Sequence, residues 1–196
     1  MKKNLIIAIL MTIATTVLLG IIYPLLVTGL AQLLFPRQAN GKLIEANGKV
    51  VGSQLIAQAF TGPGYFHPRP SAVSYDPTNS NGSQLGPTNQ KLIDRVKGEV
   101  AADCAENAGV PVPIDLVTAS ASGLDPDITP AAAEFQLDSV AKKRGMTVEQ
   151  LRALVDRHTE GRQFGILGEP RVNVLELNLE LDQRFPTKKQ ARVNHQ

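Results

Sequence analysis

The side chains in this sequence that could do chemistry are few and scattered. His67, His158 and His195 lie far apart, with no cysteine or carboxylate at metal-ligand spacing beside them, so they do not describe a zinc site. Ser120 and Ser122 flank Ala121 next to Gly123, and with a histidine such as His158 they supply the ingredients of a serine nucleophile. The run nevertheless lacks the strand–turn–helix setting of a nucleophile elbow, and serine–glycine pairs ordinarily make turns. Cys104 is the single cysteine, which excludes an intrachain disulfide and reads as a small buried apolar residue on a helix. The sequence holds no Walker-type glycine loop, no dinucleotide fingerprint and no zinc-helix motif. A net charge of +2 with 19% charged residues provides no basic face for nucleic acid. What remains are three stretches dense in turn-forming and hydrogen-bonding residues: 65–72 running on to 80–89, then 115–130, then 168–179.

These stretches hang from a membrane anchor. From Asn4 to Leu34 there is no charged side chain, and the run begins directly after Lys2 and Lys3. A helix needs about 20 apolar residues to cross the hydrocarbon core with its backbone groups satisfied internally. Leu5 to Leu33 exceeds that length, and tilt or a partly aqueous last turn absorbs the surplus. A cleaved signal peptide is the competing reading, since Gly29-Leu30-Ala31 has small residues at cleavage-site spacing, but the apolar run is about twice a usual signal core. Lysines at the start place the N-terminus in the cytoplasm, with Arg37 and Lys42 as weaker positive charge on the far flank. Pro24 predicts a kink, and Gly20, Thr28 and Gly29 are small residues that let a partner helix approach.

After the anchor, residues 1–35, the chain is long enough for one compact domain over 36–186, followed by a polar tail, 187–196, expected to be disordered. The segment from Gly52 to Asn89 is too long for an ordinary connection, and Tyr65, Phe66 and Tyr75 predict that it is pinned to the core. Thr88 or Asn89 opens a helix through Leu92, Ile93, Val96 and Val100 to about Ala108. Pro111 to Leu116 reads as extended. Thr129-Pro130 starts a helix ending at Gly145, and Thr147 with Gln150 makes a capping box for the next, to about His158. A strand near Arg171–Val174 passes into a helix, although alternating leucines from Leu175 to Leu181 also fit a strand. The expected class is α+β: one N-terminal transmembrane helix, then a single small extramembrane domain.

In their order behind one anchor, the three stretches closely resemble the C subunit of the Kdp-type high-affinity potassium-transporting P-type ATPase, over nearly the whole chain. The resemblance implies a small single-span subunit of a bacterial inner-membrane complex. Its partners would be a channel-like subunit that selects potassium, a P-type ATPase subunit that hydrolyses ATP, and a very small single-span subunit. The chain carries neither an aspartyl-phosphorylation sequence nor repeated filter loops, so it is neither motor nor pore. Members are described as catalytic chaperones that raise the ATP affinity of the ATPase subunit, with the serine-rich stretch likened to a transporter signature. Carried onto this sequence, that nominates Ser120, Ser122, Gly123 and Gln136 as a nucleotide-linked motif and ATP as the implied ligand. Turn chemistry with a capped helix after it also accounts for each of those residues.

The two implications collide. With the N-terminus inside, the serine-rich stretch faces outward, where cytosolic ATP does not reach it. The charge argument and the family's architecture, with its soluble domain over the outer mouth of the potassium-selecting subunit, favour an assembly and gating subunit. In that role Asp125, Asp127, Glu169 and Glu176 are candidates to bias the local field towards cations. The alternatives are direct nucleotide binding, which lacks a phosphate-cradling loop, and an anchored periplasmic binding module unrelated to transport.

Overall fold

The computed structural model describes residues 1–46, 48–107 and 109–186. By internal contacts the chain divides into Met1–Val51 and Gly52–Gln196.

In the first unit the apolar run forms one helix, Lys2–Leu34, of 33 residues with a mean hydropathy of 2.7, long and apolar enough to cross a membrane. It is built from α1 (Lys2–Val17), a π turn (Leu18–Ile22) and α2 (Tyr23–Leu34). The π turn sits immediately before Pro24 for a physical reason. Proline has no N–H to offer Gly20 O, and its ring crowds that carbonyl. Widening the preceding turn, with Tyr23 N–H donating to Leu18 O five residues back, accommodates the ring. The hydroxyls of Thr12 and Thr15 donate to Ala8 O and Met11 O, both at 2.8 Å, so neither faces lipid unpaired. Gly29 leaves open space where a side chain would stand, and a Cβ at Gly20 would meet Thr16 Cγ2 in ordinary contact at 3.9 Å. Beyond Phe35 lie the single turn α3 (Pro36–Ala39) and the hairpin of β1 (Leu43–Ala46) and β2 (Lys49–Ser53), both missed by the sequence reading.

The second unit is assembled from α4 (Gln90–Glu106), α5 (Ile114–Val117), β3 (Asp127–Ile128), α6 (Pro130–Arg144), α7 (Val148–Arg157), β4 (Thr159–Glu160), β5 (Arg171–Asn173) and α8 (Val174–Arg184). Central β5 pairs antiparallel with both neighbours, aligning Ile128 with Val172 and Thr159 with Val172. The expected caps are present. Asn89 accepts from Lys91 N–H, Thr129 from Ala132 N–H, and Thr147 and Gln150 form a reciprocal box. Gly145 closes α6 at φ +69°. The ambiguous leucines resolve as helix, because Val174, Leu175, Leu177, Asn178 and Leu181 are buried at helical spacing. Val174, Leu177 and Leu181 join Leu137, Leu151, Leu154 and Val172 in the core.

Two expectations fail. Ile114–Val117 is a helical turn and only Pro111 to Pro113 is irregular, because Asp115 turns inward to accept from Thr129 N–H at 2.8 Å. Cys104 is exposed, not buried. Twelve residues after Leu92, an α-helix has rotated by about 120°, so the i+4 series drifts off the packed face before reaching it. The expected tail lies outside the described residues.

Candidate functional site

The three turn-rich stretches, distant in sequence, meet in space. Phe66 inserts its ring fully into the core. That burial strands its backbone polar groups away from water, and two amides take them up. Asn178 on α8 accepts from Phe66 N–H and donates to Phe66 O, both at 2.9 Å. Gln136 on α6 repeats the arrangement one residue on, accepting from His67 N–H at 2.7 Å and donating to His67 O at 3.2 Å. Two successive residues, and with them three peptide units, are thus clamped from two helices. Beside them Arg144, its side chain fully buried, donates to Gly64 O at 2.6 Å, Phe185 O at 2.9 Å and Asp182 at 2.7 Å. Its guanidinium also lies 4.6 Å over the Tyr65 ring, whose hydroxyl donates to Asp182 at 2.9 Å.

The serine-rich stretch locks against the first one in the same manner. Ser71 hydroxyl donates to Gly123 O at 2.7 Å and accepts from Tyr75 N–H at 2.9 Å. Ser120 N–H donates to Pro70 O, and Ser80 hydroxyl donates to Ser122 O. Gly123 has φ +70°, and a Cβ there would stand 2.5 Å from Val73 Cγ2 and 2.7 Å from Asn81 O. Only glycine fits so close an approach. The third stretch joins through Val174 N–H donating to Pro126 O at 3.0 Å, and through Asn173, which donates to Gln54 O and to Asp127.

The candidate residues of the serine-rich stretch have definite places, whereas His195 lies outside the described residues. Ser120 is buried, and its hydroxyl accepts from Asp125 N–H and lies 3.1 Å from that of Ser122, which in turn accepts from Leu124 N–H. Gly123 N–H donates to Ser120 O. The hydroxyls of this loop, and the backbone N–H groups of Ser120, Gly123, Leu124 and Asp125, are therefore engaged within the protein. Gln136 lines a different cleft, of about 870 Å³, with its amide committed to His67. The structure does not bring it to Ser120, Ser122 and Gly123. His158 faces Glu180, not a serine.

The carboxylates are largely paired. Asp125 binds Arg69 at 2.9 Å, Asp127 faces Arg171 at 3.3 Å, and Glu169 binds Arg162 at 2.7 Å. Glu176 accepts from Gln54. Burial raises the Asp127 carboxyl above its ordinary value, with Asn173 and Arg171 opposing and the charges of Asp125 and Glu160 adding. Burial acts in the same direction on Glu180, but the contact and charge of His158, with Arg184 and Arg157, outweigh it and hold that carboxyl low. Among the described residues no group of three or more His, Cys, Asp or Glu could hold a metal.

Arg144, Asp115 and the pairing of Asn178 with Phe66 escaped the sequence reading. One signal for the last was available: a single amide on the apolar face of a leucine-rich helix has to find a buried polar partner.

A helix of membrane-spanning length, without charge from Asn4 to Leu34, followed by a small α+β region, defines a membrane protein with a single N-terminal span among the described residues. The family model described as "K+-transporting ATPase, c chain" matches residues 5–183. The chain belongs to that family. A Potassium-transporting ATPase KdpC subunit from Koribacter versatilis is 64% identical over 191 residues, covering 95% of this chain and 99% of the relative. Those of Acidobacterium capsulatum and Rhodospirillum rubrum are 57% and 58% identical, covering 90% and 91% of this chain and 96% and 95% of the relatives.

Proposed function

We propose that this protein is the non-catalytic accessory subunit of an ATP-driven potassium uptake complex in a bacterial inner membrane. Family membership over nearly the full chain supports its place in a potassium-transporting ATPase. The observation that carries the accessory role is the locked loop cluster. Ser120, Ser122, Gly123 and Gln136 are all engaged in tying the loops to each other and to the helices, which suits a rigid recognition surface better than a reactive one. ATP is then bound and hydrolysed in a P-type ATPase partner, and this subunit promotes that step through assembly. The other partners are the channel-like potassium-selecting subunit and the very small single-span subunit.

The paired lysines Lys2 and Lys3 support a cytoplasmic N-terminus, and with it an extracytoplasmic domain over the outer potassium entrance. The helix carries small residues at Gly20 and Gly29, with Pro24 and Thr28 between them, where a neighbouring helix can pack. Single cysteines at Ser122 and beside Lys3, in a Cys104→Ala background, test the orientation in intact cells with a membrane-impermeant thiol reagent. Labelling at Ser122 alone is the expected result. Labelling beside Lys3 alone would invert the protein, turn the loop cluster towards cytosolic ATP and overturn the reading.

A further inference from the structure

Between β4 and β5 the chain runs out into a hairpin extension whose residues 161–169 are all exposed. Its shape is fixed from within. Gln163 N–H donates to Leu167 O at 2.8 Å, Leu167 N–H returns the bond to Gln163 O at 2.9 Å, and Gly165 N–H donates to Arg162 O at 3.1 Å. Phe164 takes a left-handed conformation at φ +53°, followed by Gly165 at φ +77°. A phenylalanine in that region is uncommon and is held there by the surrounding bonds. The result is a preorganised tip presenting Phe164, Ile166 and Leu167 at 91%, 76% and 55% exposure.

The geometry points to this tip as an anchoring knob that seats in an apolar pocket on the extramembrane surface of another subunit of the same membrane complex. The inference rests on the accessory-subunit reading above. Two features select this occupant. The base of the hairpin is electrically balanced, with Arg162 on Glu169 at 2.7 Å and Arg171 on Glu160 at 2.8 Å. A tip made for an anionic lipid surface carries unpaired basic residues beside its apolar ones, and this one does not. The three side chains expose roughly 400 Å² of apolar surface, about half of what each partner buries in a stable independent interface. That is too little to hold a second copy of this chain from solution. It suffices as a hot spot within an interface whose other chain is already confined to the same membrane by the anchor, where effective concentration is high.

A photoreactive phenylalanine analogue at position 164, in the assembled complex in native membranes, reads the contact directly. The expected product is an adduct with a partner chain of the complex, absent when the same probe replaces exposed Glu149. An adduct only with lipid, only with a second copy, or with nothing would overturn the inference. The double variant F164S/I166S should keep the thermal unfolding profile of the unmodified chain and fall roughly tenfold or more in retention on the purified complex. Unchanged retention sinks the knob while leaving the accessory role intact. Failure of the unmodified chain to co-purify with an ATPase subunit would remove both.

Discussion

Replacing Asn178 with alanine removes one of the two amides that hold the loop through Phe66. Both hydrogen bonds are 2.9 Å long, and Phe66 and Asn178 are 0% and 1% exposed, so the lost partners are not replaced by bulk water. A buried donor or acceptor left without a partner costs about 1–3 kcal/mol, so losing both should destabilise the domain by about 2–6 kcal/mol. For a domain of this size that is on the order of 10 °C in Tm. Urea unfolding of the full chain in detergent, followed by circular dichroism, gives the energy. Hydrogen exchange gives the location, since protection should fall first at the Phe66 amide. Gln136→Ala should produce the same pattern at His67, and the double variant should lose less than the sum, because the two clamps order one segment. A loss below about 1 kcal/mol for Asn178→Ala would mean that water reaches both Phe66 groups and that the clamp does not order this loop.

Gly123→Ala should cost about 2–4 kcal/mol, from a left-handed φ combined with contacts at 2.5 and 2.7 Å, and should raise exchange in residues 71–75 and 120–125. Gly86→Ala, which meets nothing within 4 Å, serves as the comparison and should change stability far less. Glu180 is held low when folded, so its contribution is present above the ordinary carboxylate pKa and is lost as pH falls through the folded value. Asp127 is raised and acts with the opposite sign, so Glu180→Gln should flatten the acid side of a stability–pH profile while Asp127→Asn should steepen it.

What was legible in the sequence was what is local. Asn89, Thr129 with Pro130, Thr147 with Gln150, and Asn173 each bond a backbone N–H two or three residues away, so the helix starts could be read directly. The anchor was equally readable, because a run of some 30 residues without charge is too long for a signal core or a buried helix and fits a membrane span. Strands of two or three residues such as β3, β4 and β5 carry barely one period of alternation, and a single turn such as α5 carries no helical repeat at all. The site was harder still. The bonds that close it join Phe66 to Asn178, His67 to Gln136 and Gly64 to Arg144, partners 69 to 112 residues apart. Composition announced that the turn-rich stretches would be tied down, and Tyr65 and Phe66 do some of the tying as expected, whereas the hydrogen bonds of Tyr75 run to Arg69 and Ser71 within its own loop. Nothing in any one stretch named its partner.

The ion pairs change what the candidate carboxylates can do for a passing cation. An isolated carboxylate acts at a distance as a full charge, attenuated by solvent and salt. Asp125 with Arg69 at 2.9 Å acts as a dipole instead, and at about 10 Å, near one Debye length, a dipole of that span exerts roughly a third of the effect of the bare charge. Asp127 with Arg171 and Glu169 with Arg162 are reduced in the same way. Arg69 of the first loop and Arg171 of β5 stitch separate segments together through Asp125 and Asp127, whereas Arg162 and Glu169 close the base of one hairpin. Partly exposed pairs of this kind add little to stability, about 0–1 kcal/mol each, but they fix which segment lies beside which. In the accessory role proposed above, such a domain would act through its shape and its grip on neighbouring subunits, with electrostatic attraction as the smaller part of its effect.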